Sequence, residues 1–116
     1  MALNLALVSS ITAKTNALVN PTGVTVPLVA APTAEPIIKI NSLYVANTTG
    51  GTLTADVYVL NTSATWYIVQ SLSIATAVTT IVITKDAPIY LEAGDYLNAK
   101  GSASGLTFTV SYELLA

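Results

Sequence analysis

The feature of this sequence that most constrains its fold is the alternation of apolar and polar residues in "LTFTVSYELL", residues 106–115, which is strict from Leu106 to Leu114. The apolar positions of this stretch are Leu106, Phe108, Val110, Tyr112 and Leu114. Successive side chains of a β-strand point to opposite faces of the sheet, so the pattern predicts a strand with one packed face and one solvent or contact face. The density of threonine and other β-branched residues argues against any helix longer than a turn or two.

The same period of two predicts a hairpin in the middle of the chain. One strand is expected from about residue 37 to residue 47, and Thr49-Gly50-Gly51 supplies residues suited to a turn. A second strand is expected at about 52–60, where Leu53, Ala55, Val57 and Val59 alternate with polar residues and Tyr58.

A further strand is predicted across 66–74, with two distinct faces. One face carries Trp66, Ile68, Gln70, Leu72 and Ile74. The opposite face carries Tyr67, Val69, Ser71 and Ser73. Upstream, "LVSSITAK" and "VTVPLVA" are weaker strands, and the prolines there favour edges and connections, because proline cannot donate to a sheet ladder. These prolines are Pro21, Pro27, Pro32 and Pro36.

About eight short strands with turn signals at regular spacing predict an all-β fold, a single antiparallel β-sandwich or jelly-roll-like domain with an N-terminal arm. The length of 116 residues suits one domain. We predict that residues 1–20 form an N-terminal arm or edge strand and that residues 21–116 form the sandwich. A proline-rich connection around 30–36 separates the arm from the compact body.

The composition excludes several classes of function. The chain contains no His and no Cys, which removes triads that use histidine, thiolate nucleophiles and thiolate metal sites. Charged residues make up 9% of the chain, and its four basic residues are all lysines. Lys39, Lys85 and Lys100 are too scattered for the basic patch that a phosphate backbone requires. We therefore expect no catalytic residue, metal site or cofactor, and no nucleic-acid partner.

A membrane-spanning segment is the alternative interpretation of residues 57–84, which carry no charge. This stretch is long enough to cross a bilayer. Its many Asn, Ser, Thr and Gln residues and its partial alternation favour strands instead, so we predict no membrane partner.

The stretch "TKDAPIYLEAGDYLNAKGSA", residues 84–103, holds five of the ten charged residues. Asp86, Glu92 and Asp95 could be ligands of a hard cation, which needs several oxygens, but their spacing does not support a defined cation-binding loop. A turn is the favoured interpretation. Gly94 supplies a positive φ, and Asp95 is a residue type that caps backbone amides.

The aromatic residues are the other candidate site. Trp66 and Tyr67, with Tyr58, Tyr90 and Tyr96, could form a stacking platform for a glycan or a hot spot for a protein partner. On alternating strands one of two adjacent residues is usually core, so roughly two thirds of these aromatics are expected to be buried.

Several segments together resemble small virion structural proteins of tailed bacteriophages, especially those that infect cyanobacteria. The most specific are "KINSLYVAN", "KDAPIYLEAGDYL" and "SYE" near the end, in that order, and the likeness covers nearly the whole chain. The resemblance implies a β-sandwich that decorates or cements a capsid, or builds a neck or tail part, generally as a symmetric oligomer. It implies no catalytic residue.

These observations predict a non-enzymatic phage virion structural protein, a capsid decoration or cement protein. A neck or tail component and a carbohydrate- or receptor-binding module are the alternatives. The expected partners are copies of the chain itself, with a trimer as one form, and the major capsid protein or another virion protein. The expected location is the virion, assembled in the host cytoplasm. With 53% hydrophobic residues, a free monomer would expose apolar surface that subunit contacts can bury.

Overall fold

The computed structural model describes residues 10–19, 25–29, 37–61 and 64–116, and these contain nine β-strands and no helix. The strands are β1 (Ile11–Val19), β2 (Thr25–Val29), β3 (Ile37–Asn47), β4 (Leu53–Leu60), β5 (Thr65–Ile74), β6 (Thr79–Ile83), β7 (Ile89–Leu91), β8 (Tyr96–Gly101) and β9 (Leu106–Leu115). The all-β prediction is confirmed, and the strand predicted over residues 37–47 has the bounds of β3.

Two antiparallel sheets form the sandwich. Sheet A has the order β1-β9-β3-β6, and the short β7 pairs with β3 beside β6. Sheet B has the order β2-β8-β4-β5. When β7 is set aside, the remaining eight strands have the order of a jelly roll, in which two Greek keys interleave across two sheets. The predicted sandwich or jelly-roll architecture is therefore confirmed.

The core lies between the two sheets, and the alternating apolar residues of β9 contribute to it. Leu106, Phe108 and Val110 on β9 are completely buried. Tyr112 and Leu114 are partly buried and pack against the same core, so the predicted apolar face of β9 is confirmed. Opposite them, β8 and β4 of sheet B contribute side chains that are fully buried or nearly so: Ala55, Val57, Leu97 and Ala99.

The predicted two faces of the strand over residues 66–74 are confirmed at its two ends and wrong at Val69. The pairing of β4 with β5 shifts register twice, once between Ala55 and Val57 and again between Val57 and Tyr58. Each shift inserts one extra residue into β5. The first reverses the alternation of the side chains, and the second restores it. Val69 lies opposite the buried Val57, so it faces inward rather than outward. A strict period of two cannot survive such bulges.

The proline-containing strand β2 lies at the edge of sheet B, as predicted for Pro27. Its pairing with β8 shifts register between Pro27 and Val29. Pro21, Pro32 and Pro36 lie outside the described residues, as does the predicted connection over 30–36. The division at residue 20 stays a prediction, because residues 1–9 and 20–24 are also outside them.

The stretch considered for a membrane segment forms strands. Its described part, residues 57–61 and 64–84, contains the end of β4, all of β5 and β6. A search of the described ranges for a helix long and apolar enough to cross a bilayer finds none.

Gly105 in the β8–β9 turn is a position where only glycine fits. Its φ of +115° is a conformation that L side chains rarely adopt, and an added Cβ would overlap Cγ2 of Thr49. Thr49 cannot rotate away freely, because its Oγ1 donates a hydrogen bond to Oδ1 of Asn47 at 2.6 Å.

We expect Gly105→Ala to lower the free energy of unfolding by about 2 kcal/mol, since backbone strain and overlap act together. Gly50→Ala is the matched control, because its added Cβ would meet nothing within 4 Å. Urea unfolding of both variants measures the difference as a change in midpoint at constant slope. Equal stability of the two variants would contradict this account of the turn.

Candidate functional site

The acidic corner is a capped turn between β7 and β8. The backbone N–H of Asp95 donates to the Glu92 carbonyl at 3.0 Å, and the N–H of Glu92 donates to Oδ2 of Asp95 at 3.1 Å. Gly94 between them has a φ of +89°. The predicted turn, the positive φ and the capping role of Asp95 are therefore confirmed.

The other carboxylate oxygen of Asp95 also holds the local structure. Its Oδ1 accepts a hydrogen bond from Nδ2 of Asn61 at 3.4 Å. Asp86 lies separately, in the loop between β6 and β7. Within the described residues no three carboxylates lie close enough to hold a metal ion. The corner orders backbone at one end of the sandwich.

Most of the candidate aromatic residues are exposed, which corrects the expectation that about two thirds would be buried. Trp66 is 53% exposed and Tyr67 is 51% exposed. Tyr90 and Tyr96 are also exposed, and Tyr58 is half-buried. The prediction assumed that one of two adjacent residues on a strand is core. Trp66 and Tyr67 lie instead on β5, the last strand of sheet B within the described residues, and Tyr90 lies on the three-residue β7. Tyr96 lies on the outer face of β8.

The fold brings three of these aromatics together on the outer face of sheet B, which we call the tyrosine face: Tyr58, Tyr67 and Tyr96. Tyr58 and Tyr67 are directly opposite on β4 and β5, with ring centroids 5.3 Å apart and planes tilted by 50°. Tyr58 is also opposite Asn98 of β8, so Tyr96 lies diagonally from it on the same face.

The tyrosine face carries little charge. At one end Asp56 lies opposite Lys100, and Oδ1 of Asp56 accepts a hydrogen bond from the N–H of Ser71 at 2.6 Å, which fixes the β5 bulge. At its centre Asn98 is only 6% exposed, and its Oδ1 has no hydrogen-bond partner in the structure. A sheet surface with several tyrosines and few charges has the composition of a protein contact.

Trp66 and Tyr90 lie elsewhere, so the five aromatics do not form one platform. Trp66 is opposite Val59 and faces the inner side of sheet B, yet it remains exposed at the end of the sandwich. Tyr90 lies opposite Lys39 on sheet A. The lysines are equally dispersed, since Lys39 is on β3, Lys85 follows β6 and Lys100 is on β8.

A second candidate surface, on the outer face of sheet A, was not found from the sequence. Tyr44 and Ile81 are exposed and directly opposite each other on β3 and β6. They border a shallow depression of about 440 Å³. Its polar rim includes Asn41, whose Nδ2 donates to Oε1 of Glu113 at 2.6 Å.

A register shift creates this depression. The β3–β9 pairing skips Asn41, since Ile40 pairs with Tyr112 and Ser42 pairs with Ser111. Such a bulge redirects a side chain and widens the local surface. The signal in the sequence is the adjacent polar pair Asn41-Ser42 inside a largely apolar strand, which a strict alternation does not anticipate.

The exposure of Trp66 can be tested directly by tryptophan fluorescence, which reports on the end of the sandwich where this residue lies. It is the one tryptophan of the chain, so its fluorescence has a single source. We expect red-shifted emission that acrylamide quenches readily, because the indole is half open to solvent. Blue-shifted, unquenched emission at a concentration where the chain is monomeric would contradict the structure at this end.

Comparison with known proteins identifies the fold and no family. No protein-family model matches the sequence, and no curated protein matches it. Among solved structures, the chain is similar to one in the crystal structure of the T13 viral particle of infectious bursal disease virus (IBDV). The identity is 12% over 93% of this chain and 32% of that chain, with a TM-score of 0.52.

A chain from the structure of the Gx strain of the same virus gives a similar result. The identity is 12%, the match covers 93% of this chain and 33% of that chain, and the TM-score is 0.50. The present chain thus spans about a third of the length of the chains it matches. At this identity the likeness shows a shared β fold, one that is found in a viral particle.

Proposed function

We propose that this chain is a non-enzymatic virion structural protein of a tailed bacteriophage, and that it decorates the capsid through protein–protein contacts. Its partners would be copies of itself and the major capsid protein, and its location the virion, assembled in the host cytoplasm. The observation that carries the proposal is the tyrosine face, an outer sheet surface on which Tyr67 and Tyr96 are exposed and charge is confined to the Asp56–Lys100 pair at one end.

Exposed apolar surface is unfavourable in water, and this sandwich exposes several large apolar side chains. Besides the tyrosines of sheet B, large apolar side chains are exposed on sheet A and at both ends of the sandwich: Ile11, Tyr44, Trp66, Val78, Ile81 and Tyr90. Large apolar areas on a small domain are typically covered by a partner. Aromatic side chains in the middle of a contact contribute most of its binding energy, and few charges need to be desolvated there.

Two independent observations support a virion rather than another assembly. The segments "KINSLYVAN" and "KDAPIYLEAGDYL" resemble phage virion proteins, and the structure uses them as β3 and as the capped corner before β8. The same jelly-roll type of fold occurs in the IBDV particle. A lattice also strengthens a weak contact, because many linked copies bind together.

The test uses particles of the source phage assembled without this protein. Added protein is expected to co-sediment with these particles in a saturable manner and to raise the temperature at which they disrupt. Absence of binding would overturn the decoration role.

A matched pair of tyrosine variants locates the contact. The double variant Tyr67→Ala/Tyr96→Ala removes two exposed rings from sheet B and is expected to lower occupancy of the particle strongly. Tyr90→Ala removes an equally exposed ring from sheet A and is the control. If only the control lost binding, the assignment of the contact to the tyrosine face would be wrong.

A glycan-binding module is the second candidate function. The observation in its favour is the tilted Tyr58–Tyr67 pair with Tyr96 beside it, since exposed rings can also stack on sugars. Titration with host surface glycans separates the two functions. Saturable quenching of tyrosine fluorescence that Tyr67→Ala abolishes, without particle binding, would replace the decoration role by this one.

A further inference from the structure

The outer edge of β1 is a long, regular strand edge. All nine residues of β1 pair with β9 in one unbroken register, from Ile11 opposite Leu115 to Val19 opposite Thr107. Within the described residues β1 is the last strand of sheet A on this side. A free edge of this kind presents backbone groups that can pair with another strand.

The backbone hydrogen bonds of Ser10, the residue before β1, show which backbone groups of β1 face the free edge. Ser10 and Ala116 exchange both of their backbone hydrogen bonds, at 2.9 and 3.0 Å. Hydrogen-bonded pairs alternate along an antiparallel ladder, so the even-numbered residues of β1 bond to β9. The odd-numbered residues, from Ile11 to Val19, therefore direct their N–H and C=O groups to the free edge.

The other sheet edges in the described part of the chain carry features that hinder strand addition. β2 contains Pro27 and a register shift. β5 has two register shifts and holds Ser71 at a φ of 54°. β6 has five residues and a register shift, and β7 has three residues. Short strands, proline and bulges protect sheet edges, and β1 has none of these.

The side chains of β1 leave the edge accessible from both faces. Residues 11–17 are all exposed, although they alternate between the outer face and the sandwich side of sheet A. Ile11 is 62% exposed, and Lys14 is the one charged residue of the strand. A strand whose residues 11–17 bury neither face gains little there from its own sandwich and is available to a partner.

We infer that the β1 edge pairs with β1 of a second copy of this chain, antiparallel, across a two-fold axis at Thr15. Such a pair joins two copies of sheet A into one continuous sheet. The occupant is a second copy because a strand of the same sequence matches this edge in length and in the spacing of its outward groups. This step concerns self-association and does not depend on the proposed contact with the capsid.

Three requirements select the register at Thr15. Residues opposite each other must share a face, and outward backbone groups must meet, so odd residues pair with odd residues. Centring on Thr15 pairs Ile11 with Val19 of the other copy and uses the whole strand. It also places Lys14 opposite Asn16, whereas centring on Lys14 would oppose two lysines.

The pairing gives each of the five odd-numbered residues two backbone hydrogen bonds to the other copy. It is an isologous contact, so it closes at two copies. The trimer considered from the sequence would need a different surface.

The first experiment is light scattering across a dilution series of Thr15→Pro and Thr15→Ala. Proline at position 15 removes an outward N–H and keeps the even-residue bonds to β9, while alanine keeps the N–H. Wild type and Thr15→Ala are expected at twice the 12.0 kDa mass of one chain. Thr15→Pro is expected to raise the dissociation constant roughly tenfold or more, since two hydrogen bonds are lost. A monomeric wild type at all concentrations would overturn the inference.

A charge-pair experiment tests the register without proline. In the proposed pairing Ala13 lies opposite Ala17 of the other copy. Ala13→Lys/Ala17→Glu then places opposite charges together twice, and Ala13→Lys/Ala17→Lys places like charges together twice. The first variant is expected to remain dimeric and the second to dissociate. Equal behaviour of the two would refute this register.

The circular dichroism spectrum and unfolding midpoint of each variant show whether its sandwich still folds. A folded variant that is monomeric supports the edge contact. These measurements use the purified protein without phage particles. A monomeric wild type would therefore not bear on capsid binding, and absence of capsid binding would not bear on the dimer.

Discussion

Phe108→Ala is expected to lower the free energy of unfolding by about 3–5 kcal/mol, the usual cost of deleting a fully buried phenylalanine ring. Phe108 is completely buried and belongs to β9, the strand that joins β1 to β3 in sheet A. It lies opposite Val45 of β3, which is also completely buried. The vacated volume lies between two packed sheets that cannot collapse freely, so both lost contacts and a residual cavity contribute.

The neighbouring residue supplies the control. Thr109→Ala alters the outward face of the same strand, where the side chain is half-buried, and is expected to change stability by less than about 1 kcal/mol. Urea unfolding followed by circular dichroism measures both variants. A loss at Phe108 no larger than that at Thr109 would mean that β9 does not lie at the centre of the core.

Asn47→Ala is expected to cost about 2–4 kcal/mol, a large effect for a polar residue. Asn47 is 1% exposed. Its Nδ2 donates to the carbonyls of Gly51 and Ile74, both at 2.8 Å, and its Oδ1 accepts from the N–H of Thr49 at 2.9 Å. One side chain thus ties the end of β3 to the following turn and to the end of β5. Truncation leaves the buried Ile74 carbonyl without this partner.

Two further substitutions separate hydrogen bonding from packing. Asn47→Asp keeps the acceptor for Thr49 and replaces the donor to the two carbonyls by an oxygen, so it is expected to be at least as destabilising as Asn47→Ala. Asn16→Ala removes an exposed asparagine whose Nδ2 donates to the Leu28 carbonyl at 3.1 Å, and should cost less than about 1 kcal/mol. A mild effect of Asn47→Asp would show that the donor is dispensable.

The sequence predicted the central strands well because burial on one face leaves a direct trace in residue order. β3 and β9 pair with neighbours on both sides, so their inward residues are apolar except at the end of β3, where the buried Asn47 forms hydrogen bonds. The corner before β8 was also predictable. Gly94 and Asp95 have local conformational and hydrogen-bonding roles that do not depend on distant contacts.

The strand β5 was less predictable because its bulges depend on a partner strand. The N–H of Ser71 bonds to Asp56, a residue on β4, and no pattern within β5 shows that contact. The two bulges then move Val69 to the inner face. The aromatic residues were misjudged for a related reason, since the exposure of Tyr67 and Trp66 depends on β5 lying at the edge of sheet B.

The candidate surfaces could be predicted only as residue types. The sequence named Tyr58, Tyr67 and Tyr96, and the jelly-roll pairing places them on one face. The depression near Tyr44 depends on the bulge at Asn41, and the open edge of β1 depends on which strand lies outermost. Both are consequences of tertiary pairing.

The most direct test of the proposed virion role is the number of copies of this protein in purified particles of the phage proposed as its source, measured by quantitative mass spectrometry against the major capsid protein. A decoration protein is predicted to be present in a fixed ratio to the capsid lattice, with copy numbers of the same order as the major capsid protein. Absence from the particle would contradict the virion role. A few copies per particle would contradict decoration and favour a neck or tail position.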